Sequence, residues 1–162
     1  MGYIEELRKF IGTYPIIHVG AAALIFDKQG RLLLLRRTDN GCWGISGGGM
    51  EPGESLADTV KRETREESGL EIEQMTLFDV FSGPEFYYCY PNGDKVYNVT
   101  AVYRSHKVSG SIQINQDEHT EARYFDLSAL PAEISPPIRP ILEKLIHNGR
   151  LENRLPGFTR NR

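Results

Sequence analysis

An α/β fold, with a mixed sheet carrying helices on its faces, is the class this sequence predicts. Three observations point to it. Strand-like runs at 16–27 and 31–37 precede a helical pattern at 55–68, more strand-like runs follow at 72–82, 85–90, 95–104 and 121–126, and a helix closes the series up to about His147. There are no internal repeats and no low-complexity tracts. The 162 residues, 40% hydrophobic and 25% charged, suit one compact soluble core.

The elements follow from local signals. Ile4, Leu7, Phe10 and Ile11 recur at helical spacing, which predicts an amphipathic helix over 2–12, stopped by Gly12 and Pro15. That stripe can pack on its own sheet or on a second copy, so a homodimer is one expectation. The runs IIHVGAAALIFD and RLLLLRR flank the turn Lys28-Gln29-Gly30 and read as a hairpin. Residues 38–54 carry Gly41, Gly44, Gly47, Gly48, Gly49 and Gly53, a functional loop by composition. Ser55 is the expected N-cap of the next helix and Gly69 its stop. Pro91-Asn92-Gly93-Asp94 separates two aromatic and β-branched runs and predicts a second hairpin. Pro136, Pro137 and Pro140 lead into the last helix. The organisation predicted is an N-terminal helical extension (1–15), a main domain (16–148) and a basic, loosely held tail (149–162).

Composition narrows the function. A net charge of −3 with mixed signs argues against DNA as a partner, since sequence-independent DNA binding needs a basic face. The longest clean apolar run, Ala21 to Phe26, is far short of the roughly 20 residues a bilayer crossing needs, so no membrane partner is expected. Cys42 and Cys89 have no metal-ligand spacing, and the first residues carry charges where a signal peptide is apolar. A cytoplasmic protein is the expectation.

The chemistry concentrates in the helix after the glycine loop. With Val60 set at 0° and about 100° per residue, Leu56 falls at about −40°, Thr64 at about +40° and Ala57 at about +60°. Glu67, at about −20°, lies inside that apolar stripe, Glu63 at about −60° on its edge and Glu66 at about −120° beside it. Like-charged residues one turn apart and turned inward are costly. A hard divalent cation among their oxygens removes the cost. The alternative is a solvated helix laced by ion pairs such as Arg62 to Glu66; the inward face and the preceding glycine loop weigh against it.

The same residues resemble the Nudix hydrolase motif, G-x5-E-x7-R-E-U-x-E-E-x-G-U with U apolar. Gly48, Glu54, Arg62-Glu63, Glu66-Glu67, Gly69 and Leu70 occupy its positions. Thr64 stands where an aliphatic residue is usual, and Ser46 where many members carry proline; both changes are expected to alter packing and loop shape only. The resemblance implies a Nudix-like α/β/α sandwich with a mixed β-sheet. It also implies Mg²⁺-dependent hydrolysis, with Mn²⁺ as the alternative ion, of a nucleoside diphosphate linked to another moiety. Glu63, Glu66 and Glu67 are then the metal carboxylates, with the Gly47 carbonyl as a further ligand. Arg62 holds a motif carboxylate, and Gly48, Glu54 and Gly69 shape the loop and helix. Glu118 resembles a further acidic residue brought to the metals, with Asp117 and Glu121 as rivals, and Glu63 or Glu118 takes the proton from water.

The partner implied is a small-molecule nucleotide. ADP-ribose or a nucleotide sugar leads, helped by Pro84 just past the motif. Oxidised nucleoside triphosphates are the rival substrates, and a non-catalytic nucleotide-binding regulator is the rival class. Phosphate contacts are expected from Arg36 or Arg37 and from the Gly48 backbone. Trp43, Phe86, Tyr87, Tyr88, Tyr90 and Tyr97 are the aromatic candidates for the nucleoside, although most such rings pack in cores. Asn98, within an apolar strand, needs a polar partner. His18, His106, His119 and His147 read as structural, His119 being set apart by its neighbour Glu118.

Overall fold

The computed structural model describes residues 2–152. The elements in chain order are α1 (Tyr3–Ile11), β1 (Ile16–Leu24), β2 (Leu32–Arg37), β3 (Trp43–Gly44), β4 (Ser46–Gly49), α2 (Leu56–Ser68), β5 (Glu71–Phe81), β6 (Tyr87–Cys89), β7 (Lys95–Ser109), β8 (His119–Phe125) and α3 (Arg139–Glu152). Short 3₁₀ turns at Pro84–Phe86 and Pro136–Ile138 begin at proline, whose fixed φ suits a first turn. The fold is an α/β/α sandwich with a mixed sheet.

The larger sheet runs β4-β1-β7-β5, with β6 also on β7. Among the described residues of this sheet, β1 and β7 pair in parallel and the other pairings are antiparallel. The second sheet is antiparallel, β3-β2-β8. Here the structure corrects the expected β1–β2 hairpin. The turn forms, with Gly30 N donating to the Asp27 carbonyl at 3.0 Å and Leu33 N to the Ile25 carbonyl at 2.8 Å. The strands then part, because β4 and β7 occupy both edges of β1 and leave β2 to pair with β3 and β8.

Residues 20–24 of β1 and 32–35 of β2 are buried on both faces, which is why these stretches read as unbroken apolar runs. Ala21, Ala23, Ile25, Leu33 and Leu35 pack with Val60 of α2, Leu70 and Ile72. Ala22, Leu24, Leu32 and Leu34 pack the other way, against Trp43, Val102 and the α3 residues Ile141, Leu142 and Leu145.

α1 buries none of its side chains, and Phe10 is 85% exposed. It is tied down by polar contacts: Arg8 donates to the carbonyls of Gly12, Tyr14 and Lys95 at 3.0, 2.6 and 2.9 Å, and the Glu51 carboxylate accepts from Tyr3 N. α3 runs past the expected end at His147 to Glu152, and residues 153–162 of the predicted tail lie outside the described residues. Among the described residues no helix is long and apolar enough to cross a membrane.

Candidate active site

α2 starts and stops as its local sequence dictates. Ser55 Oγ accepts from Asp58 N at 3.2 Å, and Gly69 ends the helix in the left-handed region at φ 73°. The helix packs under β4 and β1, so its inward carboxylates lie beneath the glycine strand. The glycines of that strand leave little room for a side chain. A Cβ on Gly47, at φ 155°, would come within 2.4 Å of the Ala21 carbonyl oxygen, and one on Gly48 within 2.5 Å of the Glu63 carboxyl.

Arg62 is the hub of the acidic face. Its Nε donates to Glu54 Oε1 at 2.6 Å, and its Nη2 to Glu54 Oε2 at 3.0 Å and to the Gly49 carbonyl at 2.9 Å. Its Nη1 reaches Glu63 Oε1 at 2.8 Å and Glu66 Oε2 at 3.1 Å. This forked pairing holds the Glu54 carboxyl at a pKa of about 2. Glu54 also accepts from Glu51 N and Thr59 Oγ1, each at 3.0 Å, and so joins loop to helix. Burial pushes the Glu63 carboxyl up, against the pull of Arg62.

Glu67 is 6% exposed. Its Oε2 accepts from Ser46 Oγ at 2.7 Å and from Gly47 N at 2.9 Å. Burial still pushes its pKa up to about 8, and the charges of Glu63 and Glu118 add to the rise. Ser46, expected to matter for loop shape alone, therefore touches the most buried acid of the site, and its hydroxyl lies 3.4 Å from that of Thr64. The two departures from the usual motif are neighbours, one hydroxyl beside the other where two apolar groups would otherwise meet.

Glu118 completes the cluster from the opposite side. Ligand atoms of Glu67, Glu118 and His119 all lie within 4.8 Å of one another. Glu118 is held by Asn115 Nδ2 at 3.0 Å, while the Thr38 backbone N–H donates to the Glu118 carbonyl at 2.9 Å. Of its two rivals, Glu121 is paired with Arg123, and Asp117 is exposed on the turn, its carbonyl accepting from Thr38 Oγ1 at 3.1 Å. Carboxylates this close, one of them buried without a full countercharge, are a donor set suited to a hard divalent cation.

The cleft over this floor is lined by His18, Arg37, Gly47, Gly48, Tyr88, Tyr90, Asn98 and Thr100, among others. Arg37 lines it with its Nε and Nη2 held by Asp39 at 2.9 and 2.7 Å, and its guanidinium lies 5.9 Å from the centre of the Tyr90 ring. Arg36 lies instead on the exposed side of β2, over the Trp43 ring, donating to the Gly41 carbonyl at 3.1 Å. Trp43 is 5% exposed, edge-on to Phe125 in the core, and does not line the cleft.

The aromatic candidates divide. Tyr88 and Tyr90 face the cleft as a T-shaped pair with centroids 4.9 Å apart, Phe86 is core, and Tyr87 and Tyr97 pair on an exposed face. Asn98 has the partners its burial requires: His18 Nδ1 at 3.1 Å and the Phe86 carbonyl, to which its Nδ2 donates at 3.2 Å. Nothing in the sequence marks His18 or Thr100 as a cleft residue. β1–β7 pairing brings them there, and no local pattern signals it.

The comparisons with known proteins agree with this geometry. A family model described as NUDIX domain matches residues 16–145. The chain is 31% identical over 131 residues to a protein named ADP-ribose pyrophosphatase from Methanocaldococcus jannaschii, covering 78% of this chain and 72% of that one. It is 41% identical over 61 residues to nucleoside triphosphatase NudI of Salmonella agona, 35% of this chain and 41% of the relative. A solved MutT NUDIX hydrolase from Burkholderia pseudomallei superposes with a TM-score of 0.67 at 32% identity, over 81% of this chain and 98% of that one. The family match runs from the first residue of β1 into α3 and so encloses every residue that lines the cleft; the chain belongs to the Nudix hydrolases.

Proposed function

We propose that the chain hydrolyses the phosphoanhydride bond of a nucleoside diphosphate joined to another moiety, with ADP-ribose as the leading substrate. The observation that carries this reading is Glu67, buried between Glu63 and Glu118 on the floor of a cleft whose walls offer paired tyrosines, His18 and Asn98. The relative named ADP-ribose pyrophosphatase supports the substrate class.

Glu63, Glu66, Glu67 and Glu118, with the Gly47 carbonyl, are the groups that would hold Mg²⁺ or Mn²⁺. Such an ion neutralises phosphate charge, polarises the phosphoryl group and lowers the pKa of water. The protein's own part is placement. Arg62 holds Glu63 and Glu66 in fixed orientation, Ser46 and Gly47 hold Glu67, and the bare Gly48 backbone lets a diphosphate approach Glu63. Glu63 or Glu118 takes the proton from the attacking water.

The NudI relative favours a second reading, hydrolysis of nucleoside triphosphates to monophosphate and pyrophosphate. A purely binding regulator has no use for so complete a carboxylate set. A mass-resolved product screen with Mg²⁺ and Mn²⁺ tests this. ADP-ribose should yield AMP and ribose 5-phosphate, and Glu67→Gln should lose at least about 100-fold in turnover. Turnover in Glu67→Gln equal to the parent would reject the site, and exclusive release of pyrophosphate from triphosphates would select the second reading.

A further inference from the structure

His119 lies 5% exposed at the edge of the acidic cluster, on a strand whose regular alternation would point it elsewhere. β8 pairs with β2 in even register from Leu32↔Phe125 to Arg36↔Glu121, then skips Thr120 and resumes at Arg37↔His119. This bulge re-aims one side chain, as bulges beside ligand sites do. It seats His119 directly across from Arg37, and both residues line the cleft.

The imidazole has an unusual environment. Nδ1 is fully buried and meets no hydrogen-bond partner among the described residues. A proton there would be a buried donor without an acceptor, at the full desolvation cost of that group. The proton therefore belongs on Nε2. Nε2 lies 3.7 Å from Glu67 Oε1, beyond hydrogen-bond range, so this donor is not spent on the carboxylate. Beside it, Asp39 occupies Nε and Nη2 of Arg37 and leaves Nη1. His119 Nε2 and Arg37 Nη1, on paired residues that both line the cleft, thus have no hydrogen-bond acceptor among the described residues.

We propose that His119 is a substrate contact, donating from Nε2 beside the Arg37 guanidinium to a phosphate oxygen of the bound diphosphate. The nature of the ligand rests on the hydrolase reading above; the state of the ring does not. His119 donates from one ring nitrogen, adding direction where Arg37 adds charge.

Long-range ¹H–¹⁵N correlation on the ¹⁵N-labelled full chain reads the tautomer without ligand, with the His119 signal assigned by its loss in His119→Gln. The Nε2–H pattern is expected, and an Nδ1–H pattern overturns the proposal. Calorimetry with imidodiphosphate and Mg²⁺, a diphosphate whose nitrogen bridge resists hydrolysis, then measures the contact. His119→Ala should bind about 10- to 100-fold more weakly, while His119→Gln, which returns an N–H near the same point, should stay within about threefold of the parent. Parent-like binding by His119→Ala refutes the contact, and so does equal weakening in both variants. Neither readout needs turnover, so failure of the hydrolase reading leaves a separate signature: correct tautomer and binding, with no substrate cleaved.

Discussion

Raising the pH of the metal-free protein from 5 to 8 should destabilise it through Glu67. The folded carboxyl has a pKa of about 8 against an ordinary 4.5, so between those values the folded state holds a proton that the unfolded chain has lost. Stability contributed by this group is present below about 4.5 and falls as pH rises towards about 8. At 1.36 kcal/mol per unit the full difference is about 5 kcal/mol, a ceiling that water entering the cleft will lower. For a domain of this size, even about 3 kcal/mol corresponds to a melting temperature lower by roughly 10 °C. His119 works in the opposite sense: burial lowers its pKa, so its contribution improves as pH rises through the ordinary histidine range. The assay is thermal denaturation in EDTA at half-unit pH steps, for the parent and for Glu67→Gln, whose amide is neutral throughout. The difference between the two curves isolates Glu67. Adding Mg²⁺ should raise the parent's melting temperature more at pH 8 than at pH 5, because the proton competes with the ion for the same oxygens. The same pH slope in Glu67→Gln as in the parent would refute the reasoning.

Two further perturbations probe the same frame. Gly48→Ala sets a Cβ within 2.5 Å of the Glu63 carboxyl, so Mn²⁺ affinity measured by calorimetry should fall at least about tenfold while circular dichroism stays native. Ser46→Ala deletes the 2.7 Å hydrogen bond to Glu67 and should cost about 1.5–3 kcal/mol in urea unfolding at pH 9, and less at pH 5, where the carboxyl is neutral.

The helix of inward acids is legible in the sequence because its signals are local. Ser55, Gly69 and the 3.6-residue period place Glu63 and Glu67 inward, and the structure reproduces that placement with Glu67 buried. The turn at Asn92-Gly93 and the apolar character of β1 and β2 are equally plain, since turn chemistry and burial on two faces leave marks in neighbouring residues.

What the sequence determined by itself is a short helix of inward acids behind a glycine strand, and with it the family. Only the tertiary structure decided that β1 and β2 part into separate sheets, that Glu118 rather than Asp117 or Glu121 meets Glu67, and that Trp43 belongs to the core while Tyr88 and Tyr90 face the cleft. The physical reason is range. A helix wheel is written by residues within four positions of each other, whereas strand partners and a single skipped residue at Thr120 are settled by chain roughly 80 positions away.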